Sequence, residues 1–332
     1  MRKIVVIGAT GNTGAYVTDD LVNNASREGF EIVAAGRRST NFFDSYGITY
    51  CCVDMADAST LQNLPTEDVF AVVLLAGILP AYMDGYLPEK YIQINSVGAL
   101  NVLEYCRRVH ADRIVYAQTI SDVLASVTPE CPTIDPYMPR NIIMTGDHTV
   151  YALSKCLAVD LIRHYQAEYG IKGFVLRLPT VYAYTPDKTY SVNGERRTLG
   201  YRLIMDKAMA GETLEVWGDP SRAKDVVNVK DFAQLVRLAC TVDGVNGGFF
   251  NVGTGVGTTT DEWVNGIADV FCPKGNRSKV VYCPDKPSAP SYIMNIDNCR
   301  ELLGYEPKYS FIQFLEDFKQ EMELNRFTSL RL

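Results

Sequence analysis

The chain has 332 residues, 47% of them hydrophobic and 21% charged, and a chain of this size buries about three quarters of its unfolded surface, which excludes a disordered or coiled-coil protein. Its 32 basic and 39 acidic residues give a formal charge of -7 with no long Lys/Arg run, so nucleic acid is not an expected partner. The longest apolar stretch, Val69 to Ala81, is broken by Gly77 and Pro80 and falls short of the roughly 20 residues of a membrane span; with no secretion-signal layout after Met1, the expected location is cytoplasmic, with no membrane partner.

Along the chain, short β-branched runs alternate with longer segments of helical period. Lys3 to Ile7, Glu31 to Ala35, Thr49 to Val53, Ala71 to Leu75, Arg113 to Ala117 and Gly173 to Leu178 are predicted strands, and Glu89 to Val109 and Val150 to Tyr169 are the clearest predicted helices. Apolar-rich strands joined by helical crossovers predict a parallel sheet covered on both faces, hence an α/β, doubly wound (Rossmann) fold. After about residue 180 the pattern changes. Tyr182 to Gly200 is rich in polar and aromatic residues, and predicted helices over Leu199 to Ala210, Lys230 to Cys240, Thr260 to Val270 and Phe311 to Asn325 mix with short strands. A smaller C-terminal α/β lobe is expected over residues 176–332, packed against a domain of residues 1–175 with a ligand cleft between them.

The first strand runs into Gly8-Ala9-Thr10-Gly11-Asn12-Thr13-Gly14 and then opens a helix. Gly8 permits a tight turn, Gly11 lets backbone N–H groups approach a pyrophosphate, and Gly14 lets the helix pack on the strand, with Asn12 and Thr13 in the same phosphate-facing loop. The first domain is therefore expected to bind a dinucleotide. After the second strand stand Gly36-Arg37-Arg38-Ser39, without the acid that would hold ribose hydroxyls and repel a 2'-phosphate. Arg37 and Arg38 favour NADP over NAD, unless both are simply solvated. Asp54 and Met55, after the third strand, are placed to meet the adenine, although Asp54 serves equally well as a helix cap.

Nine cysteines without a C-x-x-C pair give neither a disulfide framework nor a zinc site, and three histidines without a G-x-S-x-G elbow give no serine hydrolase; no metal is expected. Of four Y-x-x-x-K matches, those at Tyr86, Tyr184 and Tyr282 each enclose a proline that disturbs helical register. Tyr151-Ala-Leu-Ser-Lys155 alone is proline-free and begins a long helix, which puts both side chains on one face. There the lysine ammonium and the helix dipole are expected to lower the phenol pKa, making Tyr151 a usable acid or base.

The glycine turn, Asn95 in the helix after the fourth strand, Ile114 to Thr119 in the fifth strand and the Tyr151/Lys155 pair resemble the short-chain dehydrogenase/reductase superfamily. With Arg177 to Tyr182, Asp225 to Asp231, Asn251-Val252-Gly253 and Leu302 to Pro307, the chain is similar to its extended branch, the NAD(P)-dependent nucleotide-sugar epimerase/dehydratase family. The resemblance implies hydride transfer at a hydroxyl/ketone carbon, with Thr119 holding the reacting oxygen, Tyr151 as acid/base, and Lys155 tuning it while holding the nicotinamide ribose. It places Ala76, Gly77 and Asn95 along the cofactor, Pro179 and Val181 beside the nicotinamide, and Lys224, with Arg222 nearby, where family members keep an arginine for the substrate pyrophosphate. It also implies that residues 225–252 return to the first domain and that the substrate is a small molecule, a nucleotide-sugar; a homodimer is left open.

Departures from the pattern narrow the reading. The 4,6-dehydratases carry an acidic pair after the catalytic Thr, whereas Ile120 and Ser121 follow Thr119, which disfavours dehydration. Ala183 stands where a glycine is usual. Gly-Arg-Arg also resembles the isoflavone-reductase-like branch, so an NADPH-dependent reductase of a small carbonyl compound is the alternative enzyme and a dinucleotide-sensing regulatory protein the alternative of another class.

Overall fold

The computed structural model describes residues 1–83, 85–192 and 195–330. Five strands, β1 (Lys3–Ile7), β2 (Glu31–Gly36), β3 (Thr49–Cys52), β4 (Val69–Leu74) and β5 (Arg113–Thr119), form a parallel sheet with strands Lys172–Leu178 and Gly248–Asn251. The spatial order is β3, β2, β1, β4, β5, Lys172–Leu178, Gly248–Asn251, the doubly wound arrangement that the alternating pattern predicts. Successive residues of β1 show why the strands are apolar throughout. Ile4 and Val6 pack with α1 (Asn12–Asn23) and helix Val229–Thr241 on one face, whereas Val5 and Ile7 pack with helices Gly98–Arg108 and His148–Tyr169 on the other. The order reverses between β1 and β4, leaving a crevice outside their C-terminal ends, where doubly wound sheets take their ligands.

Residues 229–251 supply both the helix that lies along α1 and the last strand of this sheet. The remaining C-terminal part has its own aromatic core, in which Tyr182, Trp263, Phe314 and Phe318 are buried. Its described residues contain an antiparallel strand pair (Thr189–Val192 with Glu195–Thr198), further short strand pairs, and helices Gly200–Met209, Thr260–Phe271 and Phe311–Leu324. The end of the last helix latches this core to α1: Arg326 spans Glu321 and Asp19 at 2.8 and 3.1 Å, and Phe327 packs edge-on against Tyr16.

One predicted helix departs from expectation. Glu89 to Val109 is not a single α-helix but an α-turn (Pro88–Tyr91), a π-helical stretch (Ile92–Val97) and an α-helix (Gly98–Arg108). The wider turn lets Asn95 point inward, where its Oδ1 accepts from Ile78 N at 2.9 Å and its Nδ2 donates to Ile78 O. Apolar spacing alone does not register such a bulge.

Asp225 organises the C-terminal core. It is fully buried, and its carboxylate accepts from Thr254 N and Oγ1 at 2.8 and 2.7 Å, Gly255 N at 3.0 Å and Met294 N at 3.3 Å, while burial raises its pKa. A side chain at Gly253 would sit 2.7 Å from one carboxylate oxygen. Asp225→Ala takes the acceptor from the backbone N–H groups of Thr254, Gly255 and Met294 and from the Thr254 hydroxyl, at about 1–3 kcal/mol for each one that water does not reach, Met294 first among them. Denaturant unfolding is expected to show a loss above about 3 kcal/mol, and a loss below about 1 kcal/mol would contradict this role.

Candidate active site

The crevice is built by backbone close approach. Gly8 has φ +100°, and a Cβ there would lie 2.5 Å from Ala76 N; a Cβ on Gly14 would lie 2.0 Å from Gly8 O. Gly11 is the N-cap of α1, with no side-chain cap and no acid in the first turn, so the first N–H groups of that helix face the crevice uncapped. This is a fit for a dinucleotide diphosphate. Thr13 is half-buried in the same turn, while Asn12 Nδ2 donates to Tyr82 Oη at 2.9 Å, so this side chain holds the wall opposite.

At the end of β2, Tyr50 stacks on Phe43 and its hydroxyl donates to the carbonyls of Gly36 and Arg38, which pins the turn that carries the arginines. Arg37 and Arg38 are both exposed, and Arg38 Nη2 donates to Thr10 O at 3.1 Å, which brings its guanidinium over the glycine turn. Asp54 Oδ1 accepts from Ala56 N, as a cap does. Met55 is buried, and its Sδ-methyl end would lie 2.7 Å from a Cβ on Gly98, so it fills the interface with that helix.

Ala76 and Gly77 line the other side of the crevice, and a Cβ on Gly77 would lie 3.0 Å from Asn95 Oδ1. Asn95, 2% exposed, bonds Ile78 and also donates to Ser154 Oγ at 3.2 Å, while Ser154 Oγ donates to Tyr151 O at 2.7 Å. Asn95 thus ties the crevice wall to the helix of Tyr151 rather than presenting its own amide. Ser154 is not singled out by the sequence reading, although its place inside Tyr151-Ala-Leu-Ser-Lys155 on the inward face is the available signal.

Thr119, Tyr151 and Lys155 come together at the C-terminal end of β5. All three are buried, Tyr151 and Lys155 lie one turn apart on helix His148–Tyr169, and the Thr119 hydroxyl is hydrogen-bonded to that of Tyr151. Met83 and Tyr91 wall off Tyr151, with the Tyr91 ring 5.8 Å away. Thr119 Oγ1 also accepts from Ser121 N at 3.2 Å.

The electrostatics differ from the expected lowered phenol. Burial pushes Tyr151 up to about 12, with the Thr119 bond opposing, and burial brings Lys155 down to about 7. The ammonium sits 4.1 Å from the centroid of Tyr116, whose ring stabilises the charge in part. Spacing on a helix gives the proximity of the two groups but not their loss of solvent, and in the ligand-free site desolvation is the larger effect.

Across the cleft, Pro179 is buried, Val181 pairs with Val227, and Thr180 is hydrogen-bonded to Tyr292. Lys224 stands beside Tyr292 and points its ammonium at Trp263 and Tyr182, with ring centroids at 4.7 and 5.7 Å; burial lowers its pKa. With Arg222 and the Thr258–Thr260 segment it lines a cavity of about 50 Å³. Arg196 pairs with Asp187 and Arg197 with Glu195, and Arg202 holds the Thr185 carbonyl, whereas Lys224 and Arg222 both line this cavity. A larger cavity, about 260 Å³, lies between α1 and helix Val229–Thr241 among Asp20, Lys230 and Arg237, away from all these groups. Among the described residues no group of three His, Cys, Asp or Glu side chains is placed to hold a metal ion, and the nine cysteines are free thiols.

Known proteins share this fold. The UDP-glucose 4-epimerase of Lacticaseibacillus casei is 27% identical over 264 residues, covering 76% of each chain. Among solved structures, the UDP-Glc/GlcNAc 4-epimerase of Campylobacter jejuni superposes with a TM-score of 0.77 at 21% identity, over 97% of this chain and all of that one. The UDP-glucose 4-epimerase of Thermus thermophilus, solved in complex with NAD, superposes with a TM-score of 0.71 at 22% identity, over 96% and 99%. The model of one family matches residues 4–253, from the first strand to the end of the seventh, and the chain belongs to that family, the NAD dependent epimerase/dehydratase family.

Proposed function

We propose that this protein is an epimerase or reductase that uses NADP(H) and acts at a hydroxyl/ketone carbon of a nucleotide-linked sugar. The observation that carries this reading is the meeting of Thr119, Tyr151 and Lys155 beside a crevice whose helix N-terminus is uncapped. When bound there, the dinucleotide supplies the hydride donor and acceptor. Tyr151 gives a proton to a ketone oxygen in one direction and takes one from a hydroxyl in the other, while the Thr119 hydroxyl fixes that oxygen. A hydroxyl-bearing ligand that accepts from Lys155 favours its ammonium, and that charge then draws the phenol down.

The sugar-nucleotide reading is supported by Lys224, an aromatic-boxed cation with no carboxylate partner among the described residues, and by relatives named as UDP-sugar epimerases. Ile120 and Ser121 after Thr119 support epimerisation or reduction over dehydration. The NADP reading is supported by Gly36, which puts no acid at the end of β2, and by the two exposed arginines that follow it.

Calorimetric titration is expected to show tighter binding of NADP(H) than of NAD(H), with the preference reduced on the order of 10- to 100-fold in the Arg37→Ala/Arg38→Ala double variant, since a charge-assisted bond contributes about 1.5–3 kcal/mol. Equal affinities in the parent protein would contradict the NADP reading.

Uridine, guanosine and thymidine diphosphate sugars, screened by thermal shift with cofactor present, test the substrate. One class is expected to raise the Tm, by about 2.7 kcal/mol of stabilisation at 100 times its Kd, and Lys224→Ala to remove that response. Silence across the panel with a response to small ketones or aldehydes would instead support the carbonyl reductase.

Lys155 titrates near 7 in the folded chain against 10.5 in the unfolded one. Between those values the unfolded chain binds the extra proton, so the stability of the ligand-free protein rises with pH, and below about 7 the full cost of burying the ammonium is present. Lys155→Met is therefore expected to raise the Tm at pH 6, with a gain that shrinks towards pH 10; a pH-independent change would argue against a buried, strained cation.

A further inference from the structure

Thr119 ends β5 opposite Leu178, and beyond that pair the sheet ladder no longer connects the two strands. The segments that follow, the 3₁₀ turn Ile120–Asp122 on one strand and Pro179–Val181 on the other, carry the groups assigned to the reacting oxygen and to the nicotinamide border. Just behind them lies a buried ion pair that has no part in the chemistry proposed above. Arg177 is 2% exposed and Asp122 1%. Arg177 Nε donates to Asp122 Oδ1 at 2.9 Å and Nη2 to Oδ2 at 3.0 Å, a two-toothed fork between strand Lys172–Leu178 and the turn after β5.

The rest of both groups is also engaged. Arg177 Nη1 donates to the carbonyls of Asp135 and Pro136 and to Asn251 Oδ1, and the guanidinium lies 4.4 Å from the Phe249 ring centroid. The Asp122 carbonyl accepts from Asn141 N at 2.8 Å, on the segment that leads to the helix of Tyr151. Asp122 closes the single 3₁₀ turn that starts directly after Thr119, and Thr119 caps that turn by accepting from Ser121 N, so the two residues belong to one short rigid unit. Gln118, the residue before Thr119, turns its Nε2 towards Asp122 Oδ2 and Cys156 Sγ and leaves Oε1 without a partner.

Stability does not account for such a pair, because apolar residues of similar volume often serve a fold as well or better. What a fully bonded fork supplies is a fixed distance and orientation between the two segments that it joins. We propose that the Asp122–Arg177 pair is the positioning device that holds Thr119 in register with Pro179–Val181, so that the oxygen-holding hydroxyl and the nicotinamide wall keep one geometry through turnover. This rests on the roles given above to Thr119 and to that wall.

Asp122→Asn alone leaves a buried cation unpaired and endangers folding, so the test uses the Asp122→Asn/Arg177→Gln double variant, which removes both charges and keeps polar atoms in place. The first readout needs no substrate. Titration with NADPH is expected to give a Kd within about 2-fold of the parent, whereas the fluorescence of the bound nicotinamide changes, because its wall has moved. With an active nucleotide-sugar, kcat is expected to fall by at least about 10-fold with KM within about 2-fold, as misplacement by a fraction of an ångström does, and the primary deuterium isotope effect on kcat to rise. A merely structural pair would lower only the fraction of competent protein, leaving both the isotope effect and the bound-NADPH emission unchanged, and that result would overturn the proposal. A parent protein inactive on every sugar tested would count against the function proposed above, and the NADPH emission would still decide the positioning role.

Discussion

The site depends on a place where side chains are excluded. Gly8 and Gly14 let the first turn of α1 rest directly on the end of β1, and a Cβ at either position would drive into backbone at 2.5 or 2.0 Å. That contact brings the uncapped helix N-terminus to the point where the strand order reverses, and it sets Ala76 and Gly77 across the crevice from it. Asn95 then ties that wall to the helix of Tyr151 through Ile78 and Ser154. Backbone contact at two glycines thus fixes where the helix N-terminus sits relative to the Tyr151 phenol.

A second theme is cations held away from water without carboxylates. Most ion pairs in the molecule are partly solvated and contribute little, about 0–1 kcal/mol each. Lys155 and Lys224 are different, for each is largely buried and faces aromatic rings, Tyr116 for one and Trp263 and Tyr182 for the other. Ring faces offset part of the desolvation, but burial still depresses both ammonium groups. A buried ammonium without a carboxylate costs stability, and any group that accepts a hydrogen bond from it lowers that cost. The same burial disfavours the phenolate of Tyr151 and keeps its hydroxyl protonated.

Much of this was legible in the sequence because it is local. The glycine turn, the proline-free Tyr151/Lys155 spacing and the apolar strands each lie within a few residues, and each marks its element directly. What stayed hidden depends on contacts between distant segments. The inward turn of Asn95 needs Ile78 and Ser154 as partners, and it converts a helix predicted from apolar period into a π-bulged one. The packing of Met55 against Gly98 joins segments more than forty residues apart, which its place after β3 does not encode. The raised phenol and lowered lysine follow from walls made by Met83, Tyr91 and Tyr116, which no spacing between Tyr151 and Lys155 encodes. Asp122 and Arg177, 55 residues apart, are two unremarkable charges in the sequence and a single buried fork in the fold.

In the function proposed above, Tyr151 and Thr119 serve a reversible transfer of hydride at one carbon of a nucleotide-linked sugar. Proton NMR of UDP-glucose carrying deuterium at C4, incubated in ordinary water with the dinucleotide-loaded protein, tests it most directly. The expected result is a product inverted at C4, or oxidised there with deuterium recovered on the dinucleotide, in either case without deuterium appearing in water, and neither product formed by Tyr151→Phe. Wash-out of the label into solvent, or undiminished conversion by Tyr151→Phe, would contradict the assignment.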